Sequence, residues 1–383
     1  MIKHIKASNL LSFGPDGLDL ELQNLNVLIG ANGSGKSNFL EIFEVLKSLP
    51  KGDLENMLFE NGKMSEWVWK GSKSHNLLYA DLEITVKENE GPILAHRFSL
   101  NLSRFQFDPF YQLVYGESIE SIHEKGDERI IHFKENAMRN EITNQMESIE
   151  RRNPYSVLSE PNRTFAINTL GVQYDLIRLY REWSFGRNST LRRPQSANVL
   201  NDRLEADFSN LGMFLSRLRK VPKTKRTLVA ALQELYEGIT DFDVDTEGDS
   251  VQIFFTEGDF RISATRLSDG TLRYLCLVAL LLDPTPPPLI CIEGPEMGLH
   301  PDVIPKIADL LVDASKRTQL IVTTHSDMLI DALSEQPESV LVCEKEEGQT
   351  YIKRLKQSEL SHWLKDYRLG DLWLSGEIGG KRW

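Results

Sequence analysis

A chain of 383 residues is long enough for one large domain with an insertion, or for two domains, and it can bury a core without disulfides. The formal net charge of -12 opposes non-specific attraction to nucleic acid, so any DNA contact must come from a local basic patch or a partner. The three cysteines lack metal-ligand spacing, and no long apolar run or leader peptide is present, so we expect a cytoplasmic protein without structural zinc or membrane contact.

The N-terminal part alternates short apolar runs with turns, which predicts strands at residues 2–11, 18–22 and 25–29. The third strand leads through a glycine-rich loop into a helix, in which apolar residues recur at helical spacing from Phe39 to Leu46. Alternating segments over about residues 66–134 predict an antiparallel sheet.

The middle of the chain is polar and then helical, with the clearest helices predicted at residues 207–218 and 227–236. Strand patterns return from residue 251. They are followed by a helix, a buried strand, a helix and a strand at 271–282, 289–292, 303–315 and 319–323.

The two ends of the chain are therefore predicted to build one α/β unit around an insertion. Residues 1–100 would form its N-terminal part, with the glycine-rich loop and a β subdomain. Residues 101–250 would form an insertion of strands and then helices. Residues 251–383 would complete the unit and end in a tryptophan-rich tail.

Residues 30–37, GANGSGKS, satisfy the pattern G-x-x-x-x-G-K-[ST] between a predicted strand and a predicted helix. Such a loop surrounds phosphate oxygens with backbone N–H groups, and the helix that follows adds its positive end. Lys36 would reach the β- and γ-phosphates and Ser37 would ligate Mg²⁺, which predicts ATP and Mg²⁺ as cofactors. The predicted nucleotide-binding residues here are Gly30, Asn32, Gly33, Ser34, Gly35, Lys36, Ser37 and Asn38.

Glu293 follows the apolar run 289–292, which is typical of a central strand. A charge at the tip of such a strand faces the crevice where ligands bind. We therefore predict that Glu293 is the metal-side acid, with Ser37 as the second metal ligand. The alternative is an exposed acid that begins a loop.

At residues 267–271, LSDGT, the chain resembles the ABC-type ATPases, in particular RecF-like and SMC-like heads and the bacterial AAA family ATPases related to OLD proteins. The segment is similar to their signature LSGGQ. The resemblance implies that Ser268 and Gly270 cap the γ-phosphate on a second protomer, in a homodimer with composite ATP sites. A hydroxyl and an exposed N–H at the start of a helix suit an anion, although a plain helix cap is the alternative.

The resemblance extends to residues 320–326, LIVTTHS, where His325 matches the family's switch histidine, and to residues 298–301, which are similar to the dimer-crossing D-loop. Aligning the motifs without a gap places Glu293 at the family's aspartate and Gly294 at its catalytic glutamate. Glycine cannot polarise water, so Glu296 and His325 become the candidate catalytic residues. Because a positioned general base contributes about 10²–10⁴ in rate, slow hydrolysis is expected.

The resemblance, carried by motifs in about residues 1–50 and 260–345, implies an α/β P-loop NTPase. Its architecture would be an ABC-type ATPase head with an antiparallel β subdomain and a mixed α/β insertion. The function it favours is an ATPase that dimerises on ATP and controls a separately encoded effector, nuclease or toxin-like, in anti-phage defence or a related DNA-linked process. The alternatives are a RecF/SMC-like DNA-repair ATPase and a non-hydrolysing ATP-gated scaffold.

One basic run could contact DNA or a partner, although such runs are usually solvated helix ends. Residues 217–226 contain no acid and six basic residues: Arg217, Arg219, Lys220, Lys223, Lys225 and Arg226. A second, looser group consists of Arg187, Arg192 and Arg193.

Overall fold

The computed structural model contains three β-sheets with helices packed around them. It describes residues 1–60, 64–71, 77–87, 93–104, 111–122, 129–134, 137–140, 145–147, 156–160, 165–186 and 189–380. The strands in this part of the chain are β1 (Ile2–Ser8), β2 (Leu18–Glu21), β3 (Leu25–Ile29), β4 (Leu77–Lys87), β5 (Ile93–Arg104), β6 (Tyr111–Ile122), β7 (Arg129–Lys134), β8 (Ala137–Asn140), β9 (Gln145–Glu147), β10 (Arg178–Tyr180), β11 (Gln195–Ser196), β12 (Ile239–Glu247), β13 (Ser250–Glu257), β14 (Phe260–Ser263), β15 (Leu289–Glu293), β16 (Gln319–Thr323), β17 (Val340–Glu346) and β18 (Gln349–Arg354).

Helices separate most of the strands of the central sheet along the chain. They are α1 (Lys36–Ser48), α2 (Leu54–Glu60), α3 (Phe165–Asp175), α4 (Leu211–Leu218), α5 (Pro222–Leu235), α6 (Asp269–Leu281), α7 (Ile304–Ala314), α8 (Asp327–Ala332), α9 (Gln357–Leu360) and α10 (Leu369–Ser375). Across the described ranges, these helices are too short or too polar to span a bilayer.

The central sheet contains strands from both ends of the chain and also β10, which lies within residues 101–250, the range predicted to form an insertion. Its strand order is β10-β15-β16-β3-β17-β18, in which β10 to β17 run parallel and β18 pairs antiparallel with β17. β3 and β16 are buried along their whole length, and β15 is buried up to its last residue. Because these strands are parallel, the loops that follow them meet at one edge of the sheet.

The antiparallel sheet has the order β2-β1-β4-β5-β6-β7-β8-β9, which confirms the antiparallel pairing predicted for residues 66–134 in the described part of that range. β5 (Ile93–Arg104) crosses residue 100, where the sequence analysis divided the chain. The third sheet contains β11, β13, β12 and β14 and packs beside α4 and α5.

The two helices predicted in the middle of the chain have different bounds in the structure. α4 begins at Leu211 and not at residue 207, because Phe208 has a left-handed φ of 60° and Asn210 accepts a hydrogen bond from the Glu205 N–H at 2.9 Å. α5 begins at Pro222, five residues earlier than predicted, since proline is tolerated in the first turn of a helix. It therefore includes part of the basic run.

The C-terminal part returns to the central sheet. Trp373 of α10 is buried and donates a hydrogen bond from its indole Nε1 to the Gly380 carbonyl at 2.6 Å. This contact places residues 379–380 beside β17, where the Glu344 carboxylate accepts the Gly380 N–H at 2.8 Å. Residues 381–383 lie outside the described residues.

Candidate functional site

The loop at residues 30–37 connects β3 directly to α1, as the sequence predicted. Gly35 precedes α1 with a φ of 102°, and a Cβ at this position would lie 2.2 Å from Thr350 Oγ1. The Thr350 hydroxyl contacts Ser34 O at 3.0 Å and Ser12 Oγ at 2.7 Å. Thr350, on β18, thus supports the loop from the side, and a side chain at residue 35 would displace it.

Lys36 lies inside the loop, where its Nζ donates to Gly30 O at 2.7 Å and to Ala31 O at 2.9 Å. Burial lowers the pKa of this lysine from its ordinary value, while the charge of Glu293 acts in the opposite direction. Ser34 Oγ is also buried, and it has no hydrogen-bond partner among the described residues. A cationic lysine and a spare hydroxyl in a loop of this shape fit a phosphate group.

The other residues predicted to bind nucleotide lie on either side of Ser34 along the chain. Gly30 and Gly33 lie before Ser34 in the loop and Asn32 is exposed, whereas Ser37 and Asn38 belong to the first turn of α1.

The predicted metal-side acid meets the loop across the sheet. Ser37 Oγ donates a hydrogen bond to Glu293 Oε1 at 2.6 Å, although the two residues are 256 positions apart in the sequence. A hydroxyl and a carboxylate oxygen are the hard ligands that Mg²⁺ takes beside phosphate oxygens. Ser37 and Glu293 therefore fit the metal that accompanies a nucleotide.

Two residues that the sequence analysis missed fix Glu293 in place. Arg181 donates from Nε to Glu293 Oε2 at 2.9 Å and from a terminal nitrogen to Glu41 Oε1 at 2.6 Å. The Trp183 indole donates to the Glu293 carbonyl at 2.8 Å. Both residues follow β10, the edge strand that pairs with β15, and this three-residue strand gave no clear signal in the sequence.

The turn after Glu293 brings Glu296 to His325. Gly294 has a left-handed φ of 58°, donates to Thr323 O at 2.9 Å and accepts the Met297 N–H at 3.1 Å. Glu296 Oε1 accepts the backbone N–H of His325 at 2.8 Å, and Glu296 Oε2 is buried without a hydrogen-bond partner in the described part of the chain. The two candidate catalytic residues are thus neighbours, and Gly294 presents no side chain between them and the metal-side acid.

Ser268 is exposed and caps α6: its Oγ accepts the Thr271 N–H at 3.1 Å. The helix-cap alternative therefore describes how this hydroxyl is used within one chain. A Cβ at Gly270 would lie 3.2 Å from Gly298 O, so the start of α6 packs closely against the turn that resembles the D-loop.

Arg192 stabilises the loop that precedes α6. Arg192 donates to Thr265 O at 2.9 Å and to Leu267 O at 2.8 Å, and it pairs with the Asp269 carboxylate. It therefore holds the loop before α6. Of the other two residues in the loose basic group, Arg193 is exposed and Arg187 lies outside the described residues.

Arg273 links α6 to the turn after β15. Its guanidinium donates to Met297 O and, at 3.3 Å, to Trp183 O, and it lies 5.1 Å from the centre of the Trp183 ring. Burial lowers the pKa of Arg273, while the charge of Glu296 opposes this shift. The α6 helix, the 294–298 turn and the segment after β10 consequently form one connected unit.

The basic run at 217–226 is partly neutralised by acids that are distant in the sequence. Arg217 pairs with Asp283 and Lys225 with Asp241, each at 2.9 Å, and Arg219 pairs with Asp243. The remaining basic residues of the run, which are exposed, are Lys220, Lys223 and Arg226.

A family model described as "AAA domain, putative AbiEii toxin, Type IV TA system" matches residues 25–331, a range that begins at β3 and ends after His325. Among solved structures, the chain is similar to the Smc head bound to the C-winged helix domain of ScpA, with 16% identity and a TM-score of 0.59 over 94% of this chain and 99% of that chain. It is also similar to an Smc head domain with an extended coiled coil bound to the C-terminal domain of ScpA, from Pyrococcus furiosus. There the identity is 13% and the TM-score 0.55, over 95% of this chain and 98% of that chain.

No curated protein matches the chain. At these identities the likeness to solved structures concerns the fold alone, and it confirms the predicted P-loop NTPase fold of the head type.

Proposed function

Because the chain belongs to this family of AAA domains and its fold is similar to that of Smc heads, we propose that it binds ATP with Mg²⁺ at the 30–37 loop and hydrolyses it slowly. The observation that carries the proposal is the 2.6 Å hydrogen bond between Ser37 and Glu293. Two of the features that MgATP needs, a phosphate-binding loop and an acid at the end of another parallel strand of the same sheet, meet there.

Each residue has a distinct part in the proposal. Backbone N–H groups of the loop and the start of α1 bind the phosphates, and Lys36 neutralises the β- and γ-phosphates. Ser37 and Glu293 would hold Mg²⁺, which when bound neutralises the charge that develops on the phosphate oxygens. Glu296, next to His325, is the carboxylate that orients or deprotonates the attacking water.

Slow turnover is expected because residue 294 is a glycine. Gly294 has no group that can accept a proton, and the nearest alternative, Glu296, already accepts one hydrogen bond with Oε1. Only its second oxygen, Oε2, lacks a partner among the described residues. A base that lies two residues from the family's usual position is expected to be less effective, because general-base catalysis depends on geometry before pKa.

We also propose that ATP joins two copies of the chain through composite sites. Ser268 is exposed at the N-terminal end of α6, where the helix dipole and the hydroxyl favour an anion. The exposed Gly298 packs against Gly270 in the same first turn of α6, and Met297, which precedes it, is 47% exposed. The link through Arg273 means that these two surfaces would move together on dimerisation.

The ATP state of the head would control a separately encoded effector, nuclease or toxin-like, in anti-phage defence or a related DNA-linked process. The family description links the AAA domain itself to a putative toxin of a type IV toxin–antitoxin system, and the similar Smc heads were solved bound to domains of ScpA. The alternative of a DNA-repair ATPase has less support, because three of the six basic residues at 217–226 are paired with acids of this chain.

The first test replaces the loop lysine. Lys36→Ala should abolish ATP binding and turnover, whereas Lys51→Ala, which changes an exposed lysine just beyond α1, should leave both unchanged. ATP binding by the unaltered protein without turnover would favour the scaffold alternative. Failure of the unaltered protein to bind MgATP would refute the proposal.

A second test concerns the effector. A nuclease-like or toxin-like reading frame beside the gene is co-expressed either with the unaltered chain or with the Lys36→Ala variant. Cell growth should differ between the two cases. Identical growth in both cases would contradict control by the ATP state.

A further inference from the structure

Arg181 lies between two acids beside the proposed metal position. One acid, Glu293, is at the tip of β15, and the other, Glu41, is on α1, the helix that follows the phosphate loop. The guanidinium donates to both, at 2.9 Å and 2.6 Å, with side-chain exposures of 27% for Arg181, 19% for Glu41 and 26% for Glu293. The three side chains form a partly buried ion triad that adjoins Ser37.

The charges in this triad explain why Arg181 stays cationic there. Burial disfavours the guanidinium, but its hydrogen bonds to Glu41 and Glu293 outweigh this effect and raise the pKa of Arg181 above its ordinary value. Glu41 Oε2 is buried and has no hydrogen-bond partner within the described ranges. Without the arginine, two partly buried carboxylates and the Ser37 hydroxyl would be close together, an arrangement that attracts a divalent cation.

Arg181 also orients Glu293. The Trp183 indole holds the Glu293 backbone carbonyl, while Arg181 binds one carboxylate oxygen and leaves the other to Ser37. The carboxylate therefore has one oxygen directed to the metal position and one directed away from it. A neutral side chain of similar length could neither offset the charge of the two acids nor bind both of them, because it lacks the charge and the separate donors of the guanidinium.

We propose that Arg181 is a positioning residue that serves as the counter-cation of Glu41 and Glu293, and that it makes divalent-metal binding depend on nucleotide. In the nucleotide-free protein Arg181 pairs with both acids and offsets part of their charge. When ATP is bound, its phosphate oxygens add the negative charge and ligands that a divalent ion needs. The inference rests on the proposed function, since it concerns the metal position of the same site.

The test measures metal binding without nucleotide. Mn²⁺ is titrated into the nucleotide-free protein, and free Mn²⁺ is followed by electron paramagnetic resonance. Arg181→Gln should bind Mn²⁺ about tenfold or more tightly than the unaltered protein, because a positive charge within a few ångströms of both acids is lost. Arg181→Lys should stay close to the unaltered protein, since it keeps that charge.

Two controls separate this effect from general damage. Arg193→Gln removes an exposed charge outside the triad and should not change Mn²⁺ binding. In Arg181→Gln, the further change Glu41→Gln should reverse the gain in affinity. Equal Mn²⁺ affinity in Arg181→Gln and the unaltered protein, with thermal midpoints that agree, would overturn the inference, as would equal effects of the Gln and Lys variants.

A variant that keeps Arg181 makes the inference testable even if Arg181→Gln does not fold. In Glu41→Gln, Glu293 is the remaining acid partner of Arg181, so Arg181 offsets more of the Glu293 charge and weakens its attraction for Mg²⁺. The Mg²⁺ concentration needed for half-maximal ATP binding should therefore rise. An unchanged Mg²⁺ requirement would contradict the role of Arg181. If the unaltered protein fails to bind ATP, the proposed function fails, whereas the Mn²⁺ titrations still decide the inference about Arg181.

Discussion

Replacing Gly294 by glutamate tests whether the missing base limits turnover. Gly294 has a φ of 58°, a conformation that costs a residue with a side chain about 1–2 kcal/mol. A Cβ there would lie 2.8 Å from Met297 Cε, but Met297 is 47% exposed and can move away. We therefore expect Gly294→Glu to fold with a free energy of unfolding lower by about 1–2 kcal/mol.

The expected gain is in the chemical step. A carboxylate directly after Glu293 would restore a base at the family's usual position, and turnover at saturating MgATP should rise by up to about 10²-fold, the lower end of what general-base catalysis contributes. The assay is steady-state phosphate release, with urea unfolding to measure stability. Gly294→Gln is the matched control, because it has the same backbone strain and nearly the same volume but cannot accept a proton. Equal turnover of the Glu and Gln variants would refute the reasoning and indicate that Glu296 or His325 is already sufficient.

Three further changes test other parts of the site. Glu296→Gln should lower turnover and leave ATP binding intact, because glutamine can still accept the His325 N–H; unchanged turnover would exclude Glu296 as the base. Ser268→Arg should prevent ATP-dependent dimerisation in size-exclusion experiments without affecting ATP binding, whereas Ser268→Ala, which removes the hydroxyl and a cap worth about 1 kcal/mol but adds no bulk or charge, should weaken dimerisation less. Unchanged dimerisation of the arginine variant would contradict the composite site. If the chain binds DNA, reversing the charge of the three exposed basic residues should weaken binding, and the slope of log K against log salt concentration should become shallower by up to about 3. The changes are Lys220→Glu, Lys223→Glu and Arg226→Glu. Unchanged binding would mean that DNA contacts another surface.

The meeting of Ser37 and Glu293 could be predicted from the sequence because it depends on short-range patterns and one general rule. A glycine-rich loop between strand and helix is a local signal, and so is a run of four apolar residues that ends in an acid. The carboxyl ends of all parallel strands lie at one edge of the sheet, which brings the two signals together although β16 lies between β3 and β15. The bounds of β3 and β16 agree with the prediction because most residues of these buried strands are apolar, although Asn26 and Gln319 are polar and buried.

The residues that hold the site together could not be found in this way. Arg181 acts on Glu293 only because β10 pairs with β15, and that contact joins positions more than a hundred residues apart. Arg192 and Arg273 likewise bind backbone carbonyls, which carry no sequence signal. The hydrogen-bond partners of such residues become visible only when the fold is known.

The ion pairs of the basic run were likewise not predictable, because its partners are distant in the sequence. Residues 217–226 contain no acid, so the sequence makes them look like an unpaired cationic surface. In the structure, β12 supplies Asp241 and Asp243, and Asp283 follows α6. An interpretation based on local charge alone therefore overstated the free positive charge of this region.

The turn after Glu293 has glycine where the family has its catalytic glutamate, and the same turn determines where the Glu296 carboxylate lies. The left-handed φ of Gly294 and the Met297 N–H···O=C Gly294 hydrogen bond of 3.1 Å bend the chain sharply, and this bend returns Glu296 to the His325 N–H. Because residues with a side chain disfavour that φ, a glutamate in place of Gly294 would weaken the turn that places Glu296. The double variant Gly294→Glu/Glu296→Gln separates the two effects: if the introduced glutamate alone acts as base, the double variant should keep the turnover of the single Gly294→Glu variant, and a loss in the double variant would mean that both carboxylates are needed.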